Sequence, residues 1–290
     1  MKILVPLDGS RLADGVLAHV RRLARREGEP LEVTLLHVYP EYLAAEEEAQ
    51  RRAEIDDHLV ALTRLLEGEG VVVHRAIVAA VDEAERIVET ARTQGMDLIA
   101  LATHGRTGLD RWLRGSVAER VLRGAATPVY TVNPRGLVLT DDSVEGWTRV
   151  LVPLDGSERA TRVLPLAGEF ALASGAEVVL LRVDEPAVPG VHPVDEVATR
   201  QAQARAEMAL ASHREQLLRA GVERVRLVGR FGQDPAHELL EAARELGADL
   251  IAIASHGRTG LSRWRFGSVA ERVLRAAPVP LLVVRASDED

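Results

Sequence analysis

Short apolar runs alternate with amphipathic segments along the chain. The first run, ILVPL at 3–7, is rich in Val, Ile and Leu and leads into Asp-Gly-Ser, as buried strands that enter a turn do. After it, apolar residues return at helical spacing from Ala13 to Leu23, with charged residues between them. Strands that alternate with helices predict right-handed crossovers and a parallel sheet with both faces covered.

The pattern continues in the same way to about residue 132. It predicts a second strand in LEVTLLHV, a helix over 44–68, a third strand over 71–77, a helix over 82–94, a fourth strand in MDLIALAT, a helix from Ser116 and a last strand in PVYTV. We therefore predict a doubly wound α/β domain. Such sheets bind ligands in the crevice at the carboxyl ends of their strands.

The whole pattern then occurs a second time. ATHGRTGLDRWLRGSVAERVL at 102–122 is matched by ASHGRTGLSRWRFGSVAERVL at 254–274, and KILVPLDGS near the start is matched by RVLVPLDGS from Arg149. Fixed-period similarity of this extent indicates duplicated units. We predict one domain at 1–134, a linker at 135–147 inside a stretch, 133–148, that carries Pro, Gly, Asp and Ser, and a second domain at 148–290.

Composition removes several classes of function. The chain carries a formal net charge of −8, so we expect neither a broad nucleic-acid surface nor binding to anionic membranes. It has no cysteine and no apolar stretch of about 18 residues, which favours the cytoplasm. Lys2 is the only lysine, which excludes a Walker A loop, a Schiff-base enzyme and a kinase.

The glycine-rich phrase that follows the fourth strand is the strongest candidate for chemistry. A loop that leaves a strand end and enters a helix presents free backbone N–H groups and the positive end of the helix dipole, which together suit a phosphate. Four arginines in each copy of the phrase and a fifth directly after it, Arg123 or Arg275, add positive charge. A plainer interpretation stays open, because SVAE at 116–119 and at 268–271 both fit a capping box that would explain the two serines.

The phrase resembles the nucleotide-binding signature of the universal stress proteins, which is G-x-x-G followed by nine residues and G-S/T. VPLDGS, LLHV and PVYTV are also similar to that family, so the resemblance covers essentially the whole chain twice. It implies two tandem Rossmann-like domains of the adenine-nucleotide-hydrolase-like kind, each with a five-stranded parallel sheet and helices on both faces. It also implies binding of an adenine nucleotide, ATP, with or without Mg²⁺.

The resemblance assigns roles position by position. It implies that the base and ribose lie near the ends of the first two strands, and that the ribose and phosphates lie along the glycine-rich phrase. In the first copy the residues are Pro6, Asp8, Val38, Ala102, Thr103, His104, Gly105, Arg106, Gly115, Ser116 and Val117, and in the second they are Pro153, Asp155, Val183, Ala254, Ser255, His256, Gly257, Arg258, Gly267, Ser268 and Val269. Ala102 and Ala254 depart from the family pattern, because each replaces its first glycine.

Alternatives remain for several of these side chains. The two histidines of the phrase either donate to the nucleotide or order their own loop, and Asp8 and Asp155 either bind the ribose or a metal or fix the Asp-Gly-Ser turn. We expect Trp112 and Trp264 to be packing residues, and the other histidines show no metal-site spacing.

No catalytic motif is present, so we expect no enzyme activity beyond slow hydrolysis of ATP, which the sequence neither requires nor excludes. A scaffold that does not bind nucleotide is the competing class, because Ala102 and Ala254 could spoil the phosphate cradle. The last strands, TPVYTV and VPLLVV, are expected to pair edge to edge in an internal pseudo-dimer, and a homodimer of whole chains stays open.

Overall fold

A computed structural model describes residues 1–24, 30–42, 45–67, 70–103, 116–133, 146–186, 196–255 and 266–285. Contacts divide the chain into two compact units, Met1–Val144 and Glu145–Asp290. Most of the linker that the sequence predicts lies outside the described residues, so the domain boundaries stay a prediction.

The first unit follows the predicted alternation of strands and helices. Its described elements are β1 (Lys2–Pro6), α1 (Arg11–Asp14), α2 (Val16–Ala24), β2 (Leu31–Pro40), α3 (Ala45–Leu66), β3 (Val71–Ala80), α4 (Glu83–Thr93), β4 (Leu98–Ala102), α5 (Val117–Gly124) and β5 (Val129–Val132). Three elements differ clearly from the prediction: β3 runs three residues further, from 77 to 80, paired with β2 along its length; β4 is three residues shorter than MDLIALAT; and the helical stretch from Ala13 to Leu23 is divided between α1 and α2 at Gly15.

The strands of the first unit are all parallel and lie in the order β3-β2-β1-β4-β5. The chain builds outward from β1 to β3 and then returns to the other side of β1 to form β4. This reversal of direction leaves a crevice at the carboxyl ends of β1 and β4, because the two connections leave in opposite directions. The fold class predicted from the sequence is confirmed.

The second unit repeats this order. Its described elements are β6 (Arg149–Pro153), α6 (Glu158–Thr161), α7 (Leu164–Ser174), β7 (Glu177–Asp184), α8 (Glu196–Arg219), β8 (Val225–Phe231), α9 (Pro235–Glu245), β9 (Leu250–Ala254), α10 (Ser268–Ala276) and β10 (Leu281–Val284). β6 lies between β7 and β9, so the crevice recurs at the ends of β6 and β9.

The core of each unit comes from the apolar runs. Ile3, Leu4 and Val5 of β1 are fully buried, as their position in a central parallel strand requires. The apolar stripe of α2 packs on the sheet, with Val16 and Val20 fully buried.

Trp147 lies within the predicted linker but is buried at the start of the second unit. Its ring packs against Phe170 of α7 with the ring centroids 5.0 Å apart. This short segment therefore contributes to the core of the second unit.

Candidate functional site

The Asp-Gly-Ser turn after the first strand of each unit is built in the same way. Asp8 Oδ1 accepts a hydrogen bond from the Ser10 backbone N at 2.9 Å, and Asp155 Oδ1 accepts from Ser157 N at the same distance. The intervening glycines have φ of 78° and 84°, a conformation that side chains disfavour. One carboxylate oxygen of each aspartate therefore fixes its own turn, as one of the two interpretations predicted. Both aspartates also line a cavity.

In the first unit that cavity lies in the crevice and measures about 490 Å³. Every described residue that the sequence analysis assigned to the first site lines it: Pro6, Asp8, Val38, Ala102, Thr103, Ser116 and Val117. These residues come from the ends of β1, β2 and β4 and from the start of α5. Segments far apart in sequence therefore converge on one space whose volume suits a small ligand.

The second unit has a cavity of about 340 Å³ at the matching place. It is lined by Pro153, Asp155, Val183, Ala254, Gly267, Ser268 and Val269, all of which were predicted. Ser255 is buried instead; its carbonyl oxygen accepts from Gly267 N at 3.0 Å. This bond holds the end of β9 against the start of α10.

The two helix N-termini at these cavities differ. Ser116 is the N-cap of α5, and its Oγ accepts from Glu119 N at 3.2 Å, which is half of the predicted capping box. The serine O–H is left to donate elsewhere, so capping and anion binding are compatible at this residue. In α10 the N-cap is Gly267, and no side chain caps the helix, so the capping interpretation is wrong for Ser268.

The number of open backbone donors follows from this difference. Among the described residues, the N–H groups of Val117 and Ala118 in α5 have no acceptor, and in α10 this is true of Ser268, Val269 and Ala270. All five residues line their cavities. Open amides at a helix N-terminus are the feature that favours an anion.

The arginines of the two helices do not add free charge to the cavities. Arg120 pairs with Asp82, the N-cap of α4, and Arg272 pairs with Asp234, the N-cap of α9, through two bonds of 2.5 and 2.6 Å. The guanidinium of Arg272 and the His237 N–H lower the pKa of Asp234. Arg123 and Arg275 pair with glutamates of their own helices. The positive field expected from these four arginines is therefore largely neutralised locally.

Part of the predicted site lies outside the described residues. It comprises His104, Gly105, Arg106, Gly115, His256, Gly257 and Arg258, and the same holds for Trp112 and Trp264. Their assigned roles stay predictions.

Three charged residues that the sequence analysis missed also line the cavities. Arg51 of α3 and Glu83 of α4 line the first, and Glu185, just after β7, lines the second. Alignment of AVDEA with GQDPA shows that Glu83 stands where the second unit has Pro235, which could have revealed the difference. Arg51 gave no local signal, because it lies on a long charged helix. The first cavity thus holds charge of both signs where the described wall of the second holds only carboxylates.

Among the described residues, no group of three or more His, Asp or Glu side chains is arranged to hold a metal ion. In the same part of the chain, no helix is long and apolar enough to cross a membrane.

Comparison with known proteins points to one family. The model of the universal stress protein family matches residues 1–133 and 146–285. A universal stress protein of Mycolicibacterium smegmatis is 29% identical over 298 residues, which cover 98% of this chain and 96% of that protein. A universal stress protein of Mycobacterium tuberculosis is 31% identical over 197 residues, which cover 66% of this chain and only 62% of that protein.

Solved structures resemble the chain in fold. The crystal structure of a universal stress protein from Archaeoglobus fulgidus aligns with a TM-score of 0.74 and 22% identity, and covers 100% of this chain and 97% of that one. A universal stress protein crystallised in complex with cAMP aligns with about half of the chain, at 25% identity and a TM-score of 0.38.

Proposed function

Because the chain belongs to the universal stress protein family, we propose that each unit binds an adenine nucleotide, ATP, in its strand-end cavity, and that the chain acts in stress response as a binding or sensing module. One observation carries the proposal: matching residues from the ends of three strands and from one helix N-terminus surround a cavity in each unit. A site for an anionic ligand needs open donors, and each cavity has backbone N–H groups without acceptors among the described residues.

In the proposed complex the base and ribose lie against the ends of the first two strands, beside Asp8 and Val38 in the first unit. The phosphates lie at the helix N-terminus, where Ser116 O–H and the amides of Val117 and Ala118 donate to them. The second unit uses the matching residues. Mg²⁺, where present, enters with the triphosphate and is held chiefly by its oxygens.

The test is calorimetry on nucleotide-stripped protein with ATP, ADP, AMP and cAMP. Two carboxylate variants separate the sites: Val117→Asp and Val269→Asp. Each places a negative charge at a helix N-terminus, where the helix tolerates it and a phosphate does not. We expect each variant to lose one binding equivalent, with affinity at that site about 10-fold weaker or worse, because like charges a few ångströms apart cost more than about 1.4 kcal/mol.

Val117→Asn and Val269→Asn are the matched controls. They have nearly the same shape without the charge and should keep both binding equivalents. Equal losses in the Asp and Asn variants would mean that shape, not charge, matters at this wall. No heat with any of the four nucleotides in the wild-type chain would refute the proposal.

The second candidate function is a scaffold that binds no nucleotide. It is favoured by the methyl groups of Ala102 and Ala254, which line the cavities where the family pattern has glycine. The same titration decides between the two, since a scaffold gives no heat. Phosphate release measured on the wild type and the Asp variants tests the third alternative, slow hydrolysis of ATP.

We further propose that β5 and β10 pair edge to edge, so that the two units form a pseudo-dimer. Each is an apolar strand at the end of the order within its own unit, and covering such edges prevents uncontrolled pairing. We also propose that the two domains span residues 1–134 and 148–290, because the repeat supports these limits. The absence of cysteine supports a cytoplasmic location, which we propose as well.

A further inference from the structure

The two units treat their outer strands, β3 and β8, differently. In the second unit, helix α8 closes the outer edge of β8. Gln203 of α8 accepts from Gly229 N at 2.8 Å with its Oε1 and donates to Leu227 O at 3.2 Å with its Nε2. One side chain thus satisfies both a donor and an acceptor that the edge would otherwise present to solvent.

This closure depends on glycine at position 229. A Cβ at Gly229 would lie 2.3 Å from the carbonyl oxygen of Ala202, so no other residue allows α8 to approach the strand so closely. The matching residue in the first unit is Ile77. Ile77 pairs with His37 as Gly229 pairs with Arg182, and LLHV matches LLRV.

The first unit has an open groove in the place of this contact. The groove measures about 610 Å³, and it lies between α3 and β3 with Ile77 in its wall. Arg75 and Asp56 also line it and form an ion pair, with Nε and Oδ1 3.5 Å apart. The edge of β3 is therefore not covered by its neighbouring helix at this point.

The groups that β3 presents outward can be identified. Leu31 N donates to Gly70 O, so the even-numbered residues of this strand direct their backbone groups toward β2. The odd-numbered residues from Val71 to Ala79 then direct N–H and C=O outward, as Leu227 and Gly229 do in β8. Among the described residues none of these outward groups has a hydrogen-bond partner.

The exposed apolar side chains described in the first unit belong to the two elements that form this groove or to residues next to them in sequence. The large exposed hydrophobic residues described in the first unit are Tyr42, Leu65, Val72 and Val81, all on or next to α3 and β3. Val72 is 43% exposed and Val81 80% exposed, at opposite ends of the strand. An open, long and mostly uncharged edge of this kind is a template for a further strand.

We propose that the outer edge of β3 is an interaction surface for a second copy of this chain, which pairs its own β3 antiparallel about a two-fold axis at Ala76. In an antiparallel pair, a residue whose backbone groups point outward lies opposite another residue of the same kind. Because the odd-numbered residues are the ones that point outward, the two-fold axis must pass through a residue position and not between two neighbouring positions. An axis at Arg75 would oppose two like charges, whereas an axis at Ala76 opposes Arg75 to Ile77 of the second copy.

The same register makes the edge complementary to itself. It brings Val72 opposite Ala80 of the second copy and next to that copy's exposed Val81. The charge of Arg75 is already balanced by Asp56, so two copies can approach without strong repulsion. A closed two-fold pair uses both edges and leaves neither open to further strands.

Sedimentation equilibrium over a range of concentrations tests the proposal. We expect the wild-type mass to rise from that of one 31.5 kDa chain to twice that value. Ile77→Pro and Val73→Pro each remove an outward N–H and should shift the midpoint at least about 10-fold, by analogy with the loss of one or two good hydrogen bonds. Val225→Pro is the matched control, because it makes the same change at the matching position of the covered strand β8 and should associate like the wild type.

Hydrogen exchange gives a second measurement that needs no variant. At high concentration the amides of Val73, Arg75, Ile77 and Ala79 should gain protection that they lack when the protein is dilute. A wild-type chain that stays monomeric up to roughly 1 mM overturns the proposal, even if β3 captures foreign peptides. It is equally overturned if folded proline variants dimerise like the wild type, or if β3 gains no protection.

Discussion

His19 makes the stability of the first unit depend on pH in a defined window. The side chain is fully buried on α2, and its Nδ1 lies 3.0 Å from the hydroxyl of Tyr130 on β5. Burial, and secondarily the positive charge of Arg22, lower the pKa of His19 from 6.5 to about 4. The folded chain therefore keeps this imidazole neutral at a pH where the unfolded chain protonates it.

The sign and size of the effect follow from this difference. Between pH 6.5 and about 4 the unfolded chain binds a proton that the folded chain does not, so stability falls as the pH falls through this window. At about 1.4 kcal/mol for each pH unit, the full loss is about 3 kcal/mol, and at about pH 5 roughly 2 kcal/mol is already lost. Asp82 and Asp234 have pKa values lowered from 3.8, so their contributions are lost only at more acidic pH.

The test compares the wild type with His19→Leu/Tyr130→Phe by urea unfolding at about pH 7.5 and about pH 5, followed by circular dichroism. Leucine is the natural choice, because Leu166 holds the matching position in the second unit. Removing both hydrogen-bonding partners leaves no polar group newly unpaired between them. Between about pH 7.5 and about pH 5, the free energy of unfolding should fall by about 2 kcal/mol more in the wild type than in the double variant.

The two units need not unfold together. Because both substitutions lie in the first unit, the second unit contributes the same pH dependence to the wild type and the double variant, and this contribution cancels when the two proteins are compared. The single variant Tyr130→Phe is a useful control, since it keeps the histidine and should keep most of the pH dependence. The reasoning is refuted if the wild type and the double variant lose the same free energy of unfolding between these two pH values.

Two further predictions concern backbone contacts. Gly229→Ala should destabilise the second unit by about 1–3 kcal/mol, because the new methyl group would overlap Ala202. The control is Gly95→Ala, which has φ +61° and open space around it and should cost only about 1 kcal/mol. Thermal unfolding measures both variants, and similar losses of stability in the two would contradict the argument. The proposed pairing of β5 with β10 predicts that mild oxidation forms a disulfide between Thr131→Cys and Val283→Cys within one chain, since both positions are buried on the paired strands and the chain has no other cysteine to compete; two free thiols after oxidation of the unfolded and refolded double variant would count against it.

Much of the fold could be predicted from local pattern. Continuous apolar runs specify buried parallel strands, since a strand covered on both faces needs apolar residues on both. The Asp-Gly-Ser turns were predictable because aspartate bonds its own backbone two residues on and glycine accepts φ near 80°. Seven of the residues that line each cavity could be predicted because strand ends and helix starts can be placed from the same pattern.

Other features depended on distances that no local pattern encodes. Ser116 and Ser268 occupy identical SVAE phrases, yet only Ser116 caps its helix, because α5 begins one residue after its serine whereas α10 begins at the serine itself. The four described arginines of α5 and α10 looked like ligands for an anion until the structure paired them with carboxylates such as Asp82 and Asp234. Such pairings join residues 38 apart in sequence.

By itself the sequence determined the two copies, their strands and helices and the strand ends that line each cavity, because these follow from hydrophobic periodicity and turn chemistry over a few residues. Only the tertiary structure decided which charges face each cavity and which outer strand is covered. The second of these rests on a single difference, Ile77 against Gly229, whose consequence depends on how closely a helix from elsewhere in the chain can approach. The sequence gives the volume of each side chain, but only the packed structure shows which neighbouring element that volume keeps away.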